Sequence, residues 1–169
     1  MTDYGLLAKQ IVSLAEVDAH WLPVLSNAAA LLWDALDDIN WAGFYLVDPA
    51  TVVGAGSSTP EPRTPELRLG PFQGKVACVR IPFGRGVCGT AAETKTSQLV
   101  EDVHQFPGHI ACDSASNSEV VVPIFKDDQV VGVLDIDSPN VARFTQEDLA
   151  GLEQVVKALE SCTNFSAFC

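Results

Sequence analysis

EVVVPIFKDDQVVGVLDIDSP, residues 119–139, sets two nearly continuous apolar runs on either side of a polar Lys126-Asp127-Asp128 turn. Short β-branched runs separated by a turn read as a hairpin, and runs apolar at almost every position belong to strands covered on both faces. The spacing therefore predicts strands over 119–125 and 129–137 in the interior of a sheet. Asp135 and Asp137 alternate at the end of the second strand, so both side chains project from one face. Two carboxylates at that spacing repel each other and raise one pKa, although a solvated strand end is the plainer reading. Glu119 decides between these readings. A two-residue turn at Asp127-Asp128 sets it opposite Ile136, facing away. A one-residue change in loop length sets it opposite Asp135 or Asp137. We expect the shared face.

Outward from the hairpin, the remaining elements follow from period and punctuation. Residues 3–16 repeat apolar residues at helical spacing, with Leu6, Leu7, Ile11 and Leu14 on one stripe. Residues 19–36 are rich in Ala and Leu, and Pro23 suits the first turn of a helix. NWAGFYLVD (40–48) reads as a strand, and 50–65 as an exposed loop of Gly, Ser and Pro. ELRLGPF (66–72) and KVACVRI (75–81) alternate like paired strands joined at Gln73-Gly74. GRGVCGTAAETK (84–95) is a glycine-rich turn feeding a helix, SQLVED (97–102) a short strand, and 103–118 a loop. Thr145 and Asp148 have capping-box spacing at the start of a helix reaching about Ser161. Residues 162–169 are expected to be a frayed tail. This order predicts one α+β domain spanning 1–169, with a central, mostly antiparallel sheet flanked by helices.

Composition narrows the function classes. The chain has 169 residues, 22 acids against 10 bases and a net charge of −12. Such a surface repels a phosphate backbone, so nucleic acid is not an expected partner. No apolar run approaches the ~18 residues of a membrane span. The N-terminus lacks the apolar segment of a secretory signal. A cytoplasmic location follows, where cysteines are expected as thiols and any disulfide as transient and catalytic.

Three of the five cysteines sit in unusual settings. Cys88 opens a predicted helix beside Arg85, where unpaired N–H groups and a cation would depress its pKa. A small residue packing that helix on the sheet is the bland alternative. Cys78 lies within a predicted strand and by itself reads as a core residue. Cys112, in the polar HIACDSASNSE, is expected to be accessible. Cys162 and Cys169 read as inert thiols of the tail. His104, His109, Cys112 and Asp113 offer metal-ligand atoms, but H-x4-H-x2-C lacks the paired spacing of structural zinc sites. A cysteine-histidine hydrolase using Cys112 and His109 would leave Cys78 and Cys88 without a role.

INWAGFYLV (39–47), LGPFQGKVACVRIPFGRGVCGTAA (69–92), VEDVHQFPGHIACDSASNSEVVVPI (100–124) and GVLDIDSP (132–139) together resemble the free methionine-(R)-sulfoxide reductases, which are single GAF domains. The resemblance implies a six-stranded antiparallel sheet flanked by helices. It implies that Cys112 attacks the substrate sulfur and that Cys78 and Cys88 serve resolution and onward exchange. Glu119, Asp135 and Asp137 match carboxylates that hold the substrate amino group and assist protonation of the sulfoxide oxygen. Trp41 and Tyr45 match the pocket wall. No metal or organic cofactor is implied; free methionine-R-sulfoxide is the implied substrate, thioredoxin or a similar dithiol the reductant, and a homodimer a possible assembly. Two rival readings are a GAF module that binds a small ligand without turnover, and a redox sensor. The first has no use for the thiol trio, the second none for the three carboxylates.

Overall fold

A computed structural model of the chain describes residues 2–51, 64–108 and 114–168. Its elements are α1 (Tyr4–Ala15), α2 (Trp21–Ala35), β1 (Trp41–Val47), β2 (Glu66–Gly74), β3 (Arg80–Pro82), α3 (Gly86–Thr94), β4 (Gln98–Val100), β5 (Ser118–Lys126), β6 (Gln129–Ser138) and α4 (Gln146–Cys162), with short 3-10 turns between. The six strands form one sheet in the order β3-β2-β1-β6-β5-β4. Every neighbouring pair is antiparallel. The predicted order of helices and strands and the α+β class are therefore observed.

Period-two alternation sends the two faces of the sheet to different tasks. Ala42, Phe44, Leu46, Val120, Val122, Leu134 and Ile136 point to one face and join α1, α2 and α4 in the larger apolar core. Trp41, Tyr45, Val47, Val121 and Val133 point to the other, where α3 and the β3 edge cover them. A capping box holds the start of α4: Thr145 Oγ1 accepts from Asp148 N, and Asp148 Oδ2 accepts from Thr145 N. Tyr4 Oη donates to Asp148 Oδ1 at 2.6 Å, which ties α1 to that cap.

Three expectations need correction. In α1, Leu7 and Ile11 are buried, but Leu6 and Leu14 face solvent; the inward stripe is Tyr4, Leu7, Ala8, Ile11 and Ala15. Residues 75–79 are not a strand, so Cys78 lies in a connecting segment ahead of the three-residue β3. The carbonyls of Lys75 and Cys78 accept from side chains, and that of Val79 from Leu69 N. Cys162 ends α4 instead of starting a frayed tail. The chain beyond it is anchored, because Asn164 N donates to Ala19 O and Phe165 is fully buried. Cys169 and residues 52–63 of the expected 50–65 loop lie outside the described residues; Pro49–Thr51 form a 3-10 turn.

Close approach at β1 explains one glycine. Gly43 pairs with Phe72 of β2 and Asp135 of β6. A Cβ there would stand 2.3 Å from Phe72 Cβ and 2.8 Å from Trp41 Cη2. Gly43→Ala is expected to destabilise the fold by roughly 1–3 kcal/mol through overpacking, read from urea unfolding midpoints. The same variant should loosen the aromatic wall, visible as altered near-UV circular dichroism.

Candidate active site

The carboxylate cluster arises from a register detail of the 119–139 hairpin. Lys126 pairs with Gln129 and Phe125 with Val130 around a two-residue turn in which Asp127 and Asp128 both have positive φ. Continued regularly, this register would put Glu119 opposite Ile136. Between Ile124 and Phe125 the register shifts, because Ile124 pairs with Gly132 and Val131 is the extra residue. Beyond that bulge Glu119 stands opposite Asp137, and Val121 opposite Asp135. The expected one-residue change exists, but inside the strand instead of in the loop.

Glu119, Asp135 and Asp137 thus share the face that carries Trp41 and Tyr45. Trp41 is the β1 partner of Asp137, and Gly43, which has no side chain, is the partner of Asp135. Cys88 comes down from the first turn of α3, with its Sγ 3.8 Å from Glu119 Oε1. The ligand-type atoms of Cys88, Glu119 and Asp135 all lie within 4.8 Å of one another, and all three residues are buried. Asp137 is half-buried. Among the described residues Asp135 Oδ1 is a fully buried carboxylate oxygen with no hydrogen-bond partner.

Burial dominates the electrostatics. It pushes the Glu119 carboxyl well above its usual range, helped by the charges of Asp135 and Asp137. Burial also raises Asp135, to about 7, against the opposing pull of hydrogen bonds from Cys88 and Glu119. The expectation of a low pKa at Cys88 is overturned. Its position at the α3 N-terminus is as expected, but Arg85 is exposed, while burial and the neighbouring Asp135 and Glu119 drive the thiol up. Two nearby carboxylates and lost solvation outweigh a helix terminus.

An aromatic wall stands beside the acids. Trp41 stacks on Tyr45 with centroids 5.7 Å apart, and on Phe72 at 5.2 Å. Phe72 escaped the sequence reading; its alternation in β2 did not distinguish a pocket residue from a half-buried strand face. Trp41 Nε1 donates to Lys75 O at 3.2 Å, and Tyr45 Oη donates to Cys78 O at 3.1 Å. The wall therefore fastens the 75–79 segment. Cys78 is disulfide-bonded, whereas Cys88 and Cys162 are free thiols. Cys112, His109 and Asp113 lie outside the described residues.

Residues 116–118 are tied to the acid-bearing strand end. Asn117 N donates to Ser138 O and its side-chain amide to Pro139 O, while Ser118 Oγ donates to Asn140 O. Asn40 Nδ2 donates to Ser116 Oγ at 3.2 Å. His104 Nε2 meets Asn117 Oδ1 at 3.0 Å. Of the groups weighed for zinc, His104 thus serves this support.

Buried carboxylates, a buried thiol and an aromatic wall thus meet on one face of the sheet. Residues 24–161 match the model of the GAF domain family. The chain belongs to the free methionine-R-sulfoxide reductase family of GAF-domain enzymes. It is 51% identical to the free methionine-R-sulfoxide reductase of Escherichia coli over 93% of this chain and 86% of that protein. It also superposes on the reduced form of fRMsr of Staphylococcus aureus with a TM-score of 0.84 and 52% identity, covering 97% of each chain. A further family structure, the enzyme of Neisseria meningitidis in complex with its substrate, gives a TM-score of 0.84 at 42% identity over 97% of this chain and 90% of that one. Among the described residues no helix is long and apolar enough to cross a membrane.

The buried acids make stability depend on pH. Folded Glu119 and Asp135 hold protons over a range in which unfolded carboxyls, titrating near 4, have lost them. The unfolded state then binds fewer protons, so stability falls as pH rises from about 4 through about 7. Asp135→Asn removes part of that cost and can donate its amide to Glu119. We expect its melting temperature to exceed that of the natural protein by roughly 3–8 °C at pH 8, with the gap narrowing at pH 5. Scanning calorimetry across that range reads it directly.

Proposed function

We propose that this chain reduces free methionine-R-sulfoxide to methionine. The observation that carries the reading is the buried carboxylate pair beneath the Trp41–Tyr45–Phe72 wall, one of whose oxygens, Asp135 Oδ1, has no donor among the described residues. A free amino acid carries an ammonium group that can donate to it. A methionine sulfoxide within a peptide has no such cation, and its extra backbone must still be accommodated. The fRMsr of Staphylococcus aureus, 51% identical to this chain, is known in complex with its substrate, which supports the assignment.

Residue chemistry suits the step. A sulfoxide oxygen leaves sulfur only once protonated, and a carboxyl whose pKa is raised by burial can hold the proton at neutral pH. Glu119 and Asp135 have that property. The Cys112 thiolate attacks the substrate sulfur; methionine departs and the oxygen remains on Cys112 as a sulfenic acid. The Cys78 thiol then condenses with that acid, releasing water and forming a Cys112–Cys78 disulfide before further oxidation can intervene. The disulfide-bonded state of Cys78 favours it as the resolving thiol over Cys88. Cys88, a free thiol against Glu119, instead belongs to the acid cluster and acts through the proton it holds there. A dithiol protein such as thioredoxin restores the thiols.

The test is methionine formation from the purified R epimer, the S epimer and a peptide-bound form, with thioredoxin, its reductase and NADPH. We expect turnover of the free R epimer alone. Cys112→Ser should abolish it, and Asp135→Asn or Glu119→Gln should lower kcat/KM by about 100-fold or more while leaving the fold intact. Turnover of the peptide-bound form at an equal rate would overturn the ammonium argument, and full activity of Cys112→Ser would overturn the assigned nucleophile.

A further inference from the structure

Cys88, Glu119 and Asp135 come from α3, β5 and β6, and they meet as one thiol and two carboxylates, all buried. Cys88 Sγ stands 3.8 Å from Glu119 Oε1, and one ligand atom of each residue lies within 4.8 Å of the other two. A tetrahedral zinc ion holds sulfur at ~2.3 Å and carboxylate oxygen at ~2.0–2.2 Å, which sets neighbouring ligand atoms roughly 3.4–3.6 Å apart. Small side-chain rotations therefore close this cluster on such an ion. Asp135 also has an unmet need: it is 5% exposed, yet its Oδ1 has no hydrogen-bond partner among the described residues. Among those residues no basic side chain forms an ion pair with Glu119 or Asp135. A buried carboxylate oxygen in that position is satisfied by a cation.

We propose that Cys88, Glu119 and Asp135 form a zinc-binding site, at which the ion competes with the substrate ammonium and inhibits the protein. The donor set selects the ion. A thiolate favours zinc and its thiophilic relatives, whereas magnesium and calcium take roughly six to eight oxygen ligands. Three protein ligands leave the fourth tetrahedral position to water. Charge is conserved on binding. With a proton on the Cys88 thiol and one shared by the two carboxylates, the cluster carries a single negative charge. Zinc displaces both protons to solvent, so two positive charges leave and two enter. A divalent ion is thereby buried without adding net charge to a low-dielectric site. The competition rests on the reductase reading, in which Asp135 Oδ1 accepts from the ammonium group. Zinc takes that oxygen and also removes the proton that the sulfoxide oxygen needs. Inhibition then follows without any metal on the attacking thiol.

Cobalt(II) serves as the spectroscopic probe, so the test does not depend on whether methionine is made. Protein reduced with a phosphine and stripped by a chelator is titrated with cobalt and then with zinc. A thiolate-to-cobalt charge-transfer band should grow in the near ultraviolet and vanish as zinc displaces the cobalt. Cys88→Ser should abolish the band, and the double variant Cys78→Ser/Cys112→Ser should keep it. Asp135→Asn and Glu119→Gln should each raise the zinc dissociation constant by about 100-fold or more, since losing a supporting partner alone costs ~10–100-fold. Excess magnesium or calcium should leave the band unchanged. Cobalt bound without the band, a band that survives Cys88→Ser, or one lost with Cys78 and Cys112 would each overturn the site. Free methionine-R-sulfoxide should raise the apparent zinc dissociation constant of Cys112→Ser, in which turnover is blocked. A site that forms normally but ignores the sulfoxide would overturn the competition and count against the ammonium argument of the reductase reading, leaving the metal site in place.

Discussion

One extra residue in β6 governs the chemistry of this fold. The tight turn at Asp127-Asp128 starts the hairpin in a register that would set Glu119 opposite Ile136, dividing it from Asp135 and Asp137 across the two faces of the sheet, one of them the apolar face of Val120 and Ile136 that packs against the helices. An ionisable group among those apolar side chains would be costly, with nothing there to share its proton. The bulge at Val131 moves the register by one position before the strands reach their functional ends. Val131 is itself fully buried, so the extra residue contributes to the core while it re-aims everything beyond it. Because side chains alternate along a strand, that single step decides whether three carboxylates lie on one face or are divided between two.

Concentrating acids has a thermodynamic consequence that a suitable ligand reverses. Glu119 and Asp135 cannot both ionise in so small a buried volume; one shared proton satisfies part of the cluster and leaves Asp135 Oδ1 without a donor. An ammonium group fits this defect because it brings both a donor and a positive charge. In the proposed reaction the bound amine would draw the acids toward ionisation, while the sulfoxide oxygen is the acceptor for the proton they give up. Cys88 belongs to the same balance. As a buried, high-pKa thiol it donates toward Glu119 without adding a third negative charge.

The fold was largely legible from the chain because its signals are local. Apolar runs, the Thr145–Asp148 capping box and Pro23 in the first turn of α2 depend on neighbours in sequence, and all appear where local rules place them. The shared face of Glu119 and Asp137 was legible only as one of two registers, since the bulge that selects it leaves no turn residue as a marker. The errors arose where a distant element supplies the partner. KVACV alternates like a strand, but the side chains of Trp41 and Tyr45 take two of its carbonyls, and the β-ladder begins only at Arg80. Cys88 has the helix position that lowers a thiol pKa, yet β5 and β6 bring carboxylates from 31 and 47 residues away in sequence. The end of the chain lacks periodicity, and its anchoring comes from Ala19 and from the space that Phe165 fills.

The aromatic wall joins two functions that the chain order keeps apart. Trp41 and Tyr45 leave β1 on the carboxylate face, and Gly43 between them makes room for Phe72 to stack on Trp41. Their polar ends reach past the pocket to Lys75 O and Cys78 O, where each buried N–H or O–H finds its acceptor. The disulfide-bearing segment is thereby located largely by the same residues that stand beside the buried carboxylates. Lys75 O and Cys78 O are held by side chains, and the backbone bond to β2 falls at Val79, one residue beyond the cysteine. In the proposed reaction a cysteine placed before the β3 ladder would exchange its covalent partner outside the strands β5 and β6 whose register sets the carboxylate geometry.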